Sequence, residues 1–283
     1  MKRIDIDFNN VDSIIDGLSH IYGVSKDSIS QFANNYTDQV ELLSAFFEKS
    51  KIYPDTHPLD NVYLKCKVIG KYPDKSMLEA DGLLPVIELL RRGDSFLSQF
   101  LKKYGISIDV ENKTFKLDTR TVQIEELSNL GVKLYHDKGE IEAFYCADIE
   151  TMKGYSCVKD YPEILLTIDE FVEEKFKKDF LLGEQWSKIS TGFDVLSFYA
   201  KLDNTTYISG YSDDWLDASP YDEFYENEYP YTDSYPKLLF MNLWLLKHGF
   251  DRIQGEMYND LCLGIKNTVR IPYEEIRIEH YDI

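Results

Sequence analysis

The chain has 283 residues, of which 43% are hydrophobic and 14% aromatic, so it is long and apolar enough to fold around a large core. Its formal net charge of -19 at pH 7 disfavours binding to duplex nucleic acid and to anionic membranes, because both are negatively charged. Four cysteines without a CxxC pair, no signal-peptide pattern and no apolar run of membrane-spanning length together predict a cytoplasmic protein.

The first part of the chain predicts short helices. Apolar residues at helical spacing occupy positions 11–18, and Gly23 follows them as a natural stop. Ser25 and Thr37 are suited to cap a second and a third helix, because their hydroxyls can accept the unpaired N–H groups of a first turn.

A change of pattern near residue 58 predicts a domain boundary. Residues 53–58 hold two prolines and break any helix. From residue 62 the apolar period becomes two, which predicts a strand with one buried face. We therefore predict a helical N-terminal segment over residues 1–58 and an α+β domain over residues 59–283.

The rest of the chain predicts an irregular mixture of helices and strands. Glycine, proline and capping residues separate the predicted elements. Helices are predicted over 85–92, 96–101, 160–176 and from Ser234 to before Gly249, and strands within 106–125 and over 141–148, 195–201, 205–210, 261–266 and 275–281.

Residues 211–236 have the most unusual composition in the chain. They contain eight acidic and eight aromatic residues and no lysine or arginine. Acidic residues favour solvent, whereas aromatic residues favour packing. This mixture predicts an ordered acidic loop that either covers the protein's own site or is presented to a partner. The alternative is a surface loop whose tyrosine rings lie on the core.

Several common catalytic motifs are missing from the sequence. It has no phosphate-binding GxxxxGK[ST] loop, no GxGxxG fingerprint, no HExxH motif and no GxSxG elbow. The histidines and cysteines are too scattered for a zinc site, so we predict no metal.

Three separated parts of the chain combine polar residues with strand-like or turn-like patterns. They are residues 63–68 with the following 77–85, Tyr155 with the helix start 161–163, and residues 255–263 with the following 271–278.

These segments resemble the ADP-ribosyltransferase-like superfamily, which includes bacterial ADP-ribosylating toxins and poly(ADP-ribose) polymerases. Residues 79–85 resemble its x-x-D/E-G-L-x-P segment, and residues 271–276 resemble its I-P-x-x-x-I strand. Residues 258–263 are similar to the polymerases' Y-N-E-Y-I-V segment, with Asp260 in place of the acid. The resemblance covers roughly the first and last thirty residues of the predicted domain.

The resemblance implies a mixed or antiparallel split sheet with flanking helices, and an NAD-dependent transferase that modifies a macromolecule, as a toxin or effector would. NAD would be the substrate, cleaved at its nicotinamide glycosidic bond through an oxocarbenium-like transition state. A carboxylate near the ribose 2-hydroxyl stabilises that charge. Glu256 would have this role first and Asp260 second, although spacing alone does not decide between them.

The same resemblance assigns the contacts to NAD. Tyr155 or Tyr161 would stack on nicotinamide, and Lys67, with Lys65 beside it, would contact ribose or pyrophosphate. The first strand has no histidine, and an aspartate is one methylene shorter than a glutamate. These departures also suit a relative that has lost catalysis. Otherwise the tyrosines are ordinary half-buried residues and the lysines the wet face of a strand.

A second hypothesis makes the chain an acidic, non-enzymatic interaction protein, such as an immunity protein or a phage-encoded inhibitor that mimics nucleic acid. A net charge of -19 steers a basic partner toward it. Tyrosine and tryptophan in residues 211–236 would supply contact area at low entropic cost.

Overall fold

In the computed structural model the chain divides into two compact units that alternate along the sequence. The predicted boundary near residue 58 lies outside the described residues and stays a prediction. Unit 1 comprises Met1–Lys67, Ala143–Met152 and Tyr199–Gly264, and unit 2 comprises Val68–Glu142, Lys153–Phe198 and Ile265–Ile283. The structure describes residues 2–35, 46, 48–51, 60–72, 75–136, 140–154, 158–189, 191–208 and 262–282.

The fold is α+β, as the irregular order of predicted elements indicated. Across the described ranges, every helix is too short or too polar to traverse a lipid bilayer. In chain order the elements are β1 (Ile4–Ile6), α1 (Val11–Tyr22), α2 (Lys26–Asn35), β2 (Val62–Gly70), α3 (Lys75–Asp81), α4 (Val86–Arg91), α5 (Phe96–Lys102), β3 (Ile106–Asp109), β4 (Thr114–Leu117), β5 (Arg120–Gln123), α6 (Asn129–Gly131, continued by a π-helical turn, Val132–His136), β6 (Ile141–Phe144), α7 (Ile149–Gly154), α8 (Ile164–Phe176), α9 (Leu182–Ser187), β7 (Phe193–Lys201), β8 (Thr205–Ile208), β9 (Cys262–Ile265) and β10 (Arg277–Tyr281).

The first two helices confirm their prediction, and each begins at a side-chain cap. The side chain of Asn10 accepts a backbone N–H from the first turn of α1, and Gly23 ends that helix in the left-handed region, with φ at 66°. A serine side chain caps α2 in the same way. The third predicted helix, from Thr37, lies outside the described residues.

The larger sheet is mixed. Its strands follow the order β10-β7-β2-β6-β9-β8, and β1 pairs in parallel with the start of β2. Strand β10 runs antiparallel to β7, and β6 antiparallel to β2. The predicted alternation of β2 holds through Cys66 and then shifts, so that Ile69 is buried against expectation. The shift occurs where the strand passes from unit 1 into unit 2.

Unit 2 has a second sheet and a core of its own. Strands β3, β4 and β5 form an antiparallel meander, which confirms the strands predicted within residues 106–125. Phe115 of β4 packs on Phe171 of α8, with ring centroids 4.9 Å apart. Leu101, Leu117 and other buried residues complete this core.

A close backbone contact joins the end of α3 to the segment before β10 within unit 2. Leu83 and Ile271 exchange two backbone hydrogen bonds of 2.9 and 3.1 Å. Gly82 has a φ of +68°, and a Cβ placed there would lie 2.1 Å from the carbonyl oxygen of Ile271. Glycine is therefore required at this position by its backbone angle and by the lack of space.

We expect Gly82→Ala to lower the free energy of unfolding by about 2–4 kcal/mol, because it adds left-handed strain to a backbone clash. Gly154→Ala is the matched control, since a Cβ at Gly154 meets nothing within 4 Å. Its effect should stay within about 0.5 kcal/mol. Urea unfolding of both variants checks this, and equal losses would contradict the proposed clash.

Candidate functional site

Half of the predicted NAD-site residues, and the acidic tract, lie outside the described residues. These are Glu256, Asp260, Tyr155 and residues 211–236. The predicted carboxylate and the predicted acidic loop therefore stay predictions.

Lys65 and Lys67 lie on the same face of β2, opposite the buried side chains of Leu64 and Cys66. The Lys65 ammonium is 2.7 Å from a carboxylate oxygen of Asp7. The Lys67 ammonium donates to the backbone carbonyl of Ala147 at 3.1 Å, also within unit 1. Both lysines thus have structural contacts, and their role as NAD contacts is still a prediction.

Tyr161 belongs to unit 2, where it is half-buried just before α8 and packs on the core. Its ring covers Gly183, since a Cβ at Gly183 would lie 2.8 Å from a ring carbon. This packing matches the interpretation of an ordinary half-buried tyrosine. Stacking of Tyr161 on nicotinamide stays a prediction.

Unit 2 contains a cavity of about 280 Å³. Its wall includes residues 78–84 and 162–163, which belong to segments of the predicted site, and the aromatic residues Phe96 and Trp186, which do not. Its apolar lining consists of Val68, Ile69, Leu78, Leu83, Leu84, Val86, Leu89, Phe96, Leu97, Ile141, Val158, Pro162 and Trp186.

Trp186 and the phenylalanine rings around it form the aromatic part of the wall. Leu182 and Trp186 lie four residues apart on α9, and both are buried. The Trp186 ring meets Phe96 edge-on, with centroids 5.1 Å apart, and Phe100 at 5.0 Å. The indole nitrogen is buried and has no hydrogen-bond partner among the described residues, so the part of Trp186 that reaches the cavity is carbon.

The polar side chains of the lining differ in how deeply they are buried. Lys71 is only 6% exposed, and its ammonium donates to the carbonyl of Ser187 at 2.7 Å. The lining carboxylates are half-buried or exposed and therefore lie toward solvent, at what we call the rim. The rim carboxylates are Asp81, Glu140, Glu142 and Glu163.

Asp81 and Glu163 of the rim have cationic neighbours. Asp81 accepts from Arg92 at 2.6 Å, and a Glu163 oxygen lies 3.1 Å from the ammonium of Lys133. These pairs are partly exposed, so each contributes little to stability. Tyr72, also in the lining, is half-buried near the carboxylate of Asp194. Burial first, and the charge of Asp194 second, raise the pKa of its phenol, which stays protonated.

A second polar cluster in unit 2 surrounds the buried carboxylate of Asp194. His280 Nδ1 lies 3.0 Å from its Oδ1, and the Lys75 ammonium lies 3.4 Å from the same atom. The other ring nitrogen of His280 is 3.6 Å from a carboxylate oxygen of Asp282. An aspartate that orients a histidine is part of a general-base arrangement, but here both ring nitrogens face carboxylates. The cluster is therefore a structural polar network that joins β7 to β10.

Asp169 of α8 holds the start of α9, the helix that carries Trp186. Its Oδ2 accepts the backbone N–H of Leu182 at 2.6 Å, while its Oδ1 is buried without a hydrogen-bond partner among the described residues. Burial raises the pKa of this carboxyl from 3.8 to about 6, against the lowering effect of the backbone N–H groups.

This raised pKa predicts a pH dependence of stability. Between about pH 4 and 6 the folded state keeps a proton that the unfolded chain has released, so this stabilisation is full below about pH 4 and is lost as the pH rises through 6. In Asp169→Asn the fall in unfolding free energy from pH 4 to 7 should be smaller, by about 1 kcal/mol after allowance for solvent screening.

Urea unfolding at pH 4, 5.5 and 7 measures this difference. Glu184→Gln is the control, because Glu184 is an exposed acid on α9 that lies outside the cavity lining. Identical pH profiles for Asp169→Asn and the unmodified protein would contradict the assignment.

Among the described residues, no group of three or more histidine, cysteine, aspartate or glutamate side chains is arranged to hold a metal ion. Comparison of the chain with protein-family models, with curated proteins and with solved structures found no match.

Proposed function

We propose that the chain is an acidic binding protein that acts by capturing a basic protein or peptide, with the unit 2 cavity and its rim as the contact. The observation that carries this proposal is the combination of an apolar cavity with four rim carboxylates and one inward lysine. The net charge of -19 adds long-range attraction for a cationic partner.

The ion pairs of Asp81 and Glu163 at the rim do not oppose this function. Asp81 and Glu163 have Arg92 and Lys133 as neighbours, yet these contacts compete with water already. A partner's lysine or arginine can replace either one at small cost in free energy. The chain's field would mainly speed association, and residues 211–236 would extend the acidic contact.

Two buried thiols support a reducing compartment such as the cytoplasm. Cys66 and Cys146 are buried and form no disulfide. Disulfides are rare where thiols are kept reduced, so a cytoplasmic location is part of the proposal.

One observation favours a second candidate, the NAD-dependent ADP-ribosyltransferase. The two segments of clearest resemblance, residues 79–85 and 271–276, are joined by the Leu83–Ile271 backbone pair. Glu256, or Asp260, would then supply the carboxylate beside the ribose.

Binding of a lysine-rich peptide tests the first function. Its affinity should fall at least tenfold between about 50 and 300 mM NaCl, because salt screens the attraction. Glu142→Lys should weaken binding about three- to tenfold, because it reverses a charge at the rim. Glu184→Lys changes the net charge equally but lies outside the cavity lining, so its effect should be smaller. Fluorescence anisotropy measures each affinity, and equal binding of a glutamate-rich peptide would overturn the proposal.

Release of nicotinamide from NAD by the purified chain tests the second function. The transferase requires turnover that Glu256→Gln or Asp260→Asn reduces by at least a hundredfold, since each variant removes the charge near the ribose. Chromatographic detection of nicotinamide provides the measurement. Turnover lost in this way would replace the binding function as the proposal, and no turnover would remove the transferase.

A further inference from the structure

We propose that the unit 2 cavity is the anchor pocket for one aromatic side chain of the basic partner, with lysine or arginine residues on either side of it contacting the rim. This inference rests on the proposed binding function and specifies the partner's chemistry: a bulky aromatic residue within a cationic segment.

The size of the cavity suits a single large side chain. Its volume is about 280 Å³, whereas an apolar cavity of about 150 Å³ is enough to hold benzene. The wall presents rings and branched carbons, including Phe96, Trp186 and Leu89. Aromatic rings pack on such walls edge-on, and buried aromatic anchors dominate the affinity of many interfaces.

The charges of the lining determine which part of a partner would lie inside the cavity and which part at the rim. Lys71 is held within the wall by its bond to Ser187, and its positive charge disfavours a lysine or arginine at depth. The rim carboxylates favour positive charge at the entrance. An uncharged aromatic group inside and cations outside satisfy both conditions, whereas an acidic segment satisfies neither.

The pocket is held in place by hydrogen bonds on two sides. The Leu83–Ile271 pair fixes the wall that contains Leu84, and Asp169 fixes the start of the helix that carries Trp186. Little ordering is therefore needed when an anchor enters, which lowers the free-energy cost of binding.

The experiment uses the full chain and three labelled peptides of equal length. One has a tryptophan between two pairs of lysines, the second has alanine in place of tryptophan, and the third has glutamates in place of the lysines. Replacing tryptophan by alanine should weaken binding about tenfold or more, and the glutamate peptide should bind more weakly than either.

Two tryptophan substitutions in the chain locate the anchor. Leu84→Trp fills the cavity and should weaken the tryptophan peptide about tenfold without affecting the alanine peptide. Leu127→Trp is the control, because Leu127 is 86% exposed and does not line the cavity; it should bind as the unmodified chain does. Thermal unfolding of both variants verifies that they fold.

Free indole provides a measurement that needs no variant. Saturating indole should lower the affinity of the tryptophan peptide to that of the alanine peptide. It should leave the affinity of the alanine peptide unchanged. Lack of displacement, or equal affinities of the tryptophan and alanine peptides, would overturn the anchor inference. If the two lysine peptides still bind more weakly at high salt, the proposed binding function stands without the anchor. If neither lysine peptide binds, the proposed function and the anchor inference are both wrong.

Discussion

The contact between Gly82 and the carbonyl of Ile271 is the constraint on which the unit 2 cavity depends. It brings a chain segment from the end of α3 against one that follows β9, and leaves no room for a side chain between them. Leu83 and Leu84, which follow this contact directly, lie in the wall of the cavity. Backbone hydrogen bonds thus position this hydrophobic wall. Hydrogen bonds depend on direction, whereas apolar packing does not, so they fix the orientation of the segment.

In the proposed function, the cavity and the charge of the chain would contribute different properties to binding. Attraction between net charges acts over a Debye length of about 8 Å at physiological salt and raises the rate of encounter more than the final affinity. Burial of an apolar group acts only at contact and slows dissociation. In the proposed function, the net charge of -19 and the apolar pocket would combine both effects. The positive charge of the buried Lys71 would disfavour a cationic side chain inside the cavity.

Local features of the fold were predictable, whereas long-range pairings were not. The cap at Ser25, the stop at Gly23 and the strands of the unit 2 meander follow from side chains within a few residues. The Leu83–Ile271 pair joins segments far apart in sequence, and neither residue type indicates its partner. Trp186 was missed because α9 is too short to show a helical period, although its spacing from Leu182 was a usable signal. The acids proposed for NAD lie outside the described residues.

The three described cysteines all belong to unit 1, and all are buried. Burial raises the pKa of the Cys66 and Cys146 thiols to about 12, so thiolate is scarce at neutral pH. Alkylating reagents and peroxides need thiolate and access, and the native protein offers neither at these positions. With Cys157 replaced by serine, the rate of thiol alkylation would report the opening of unit 1 alone, separately from any event in unit 2.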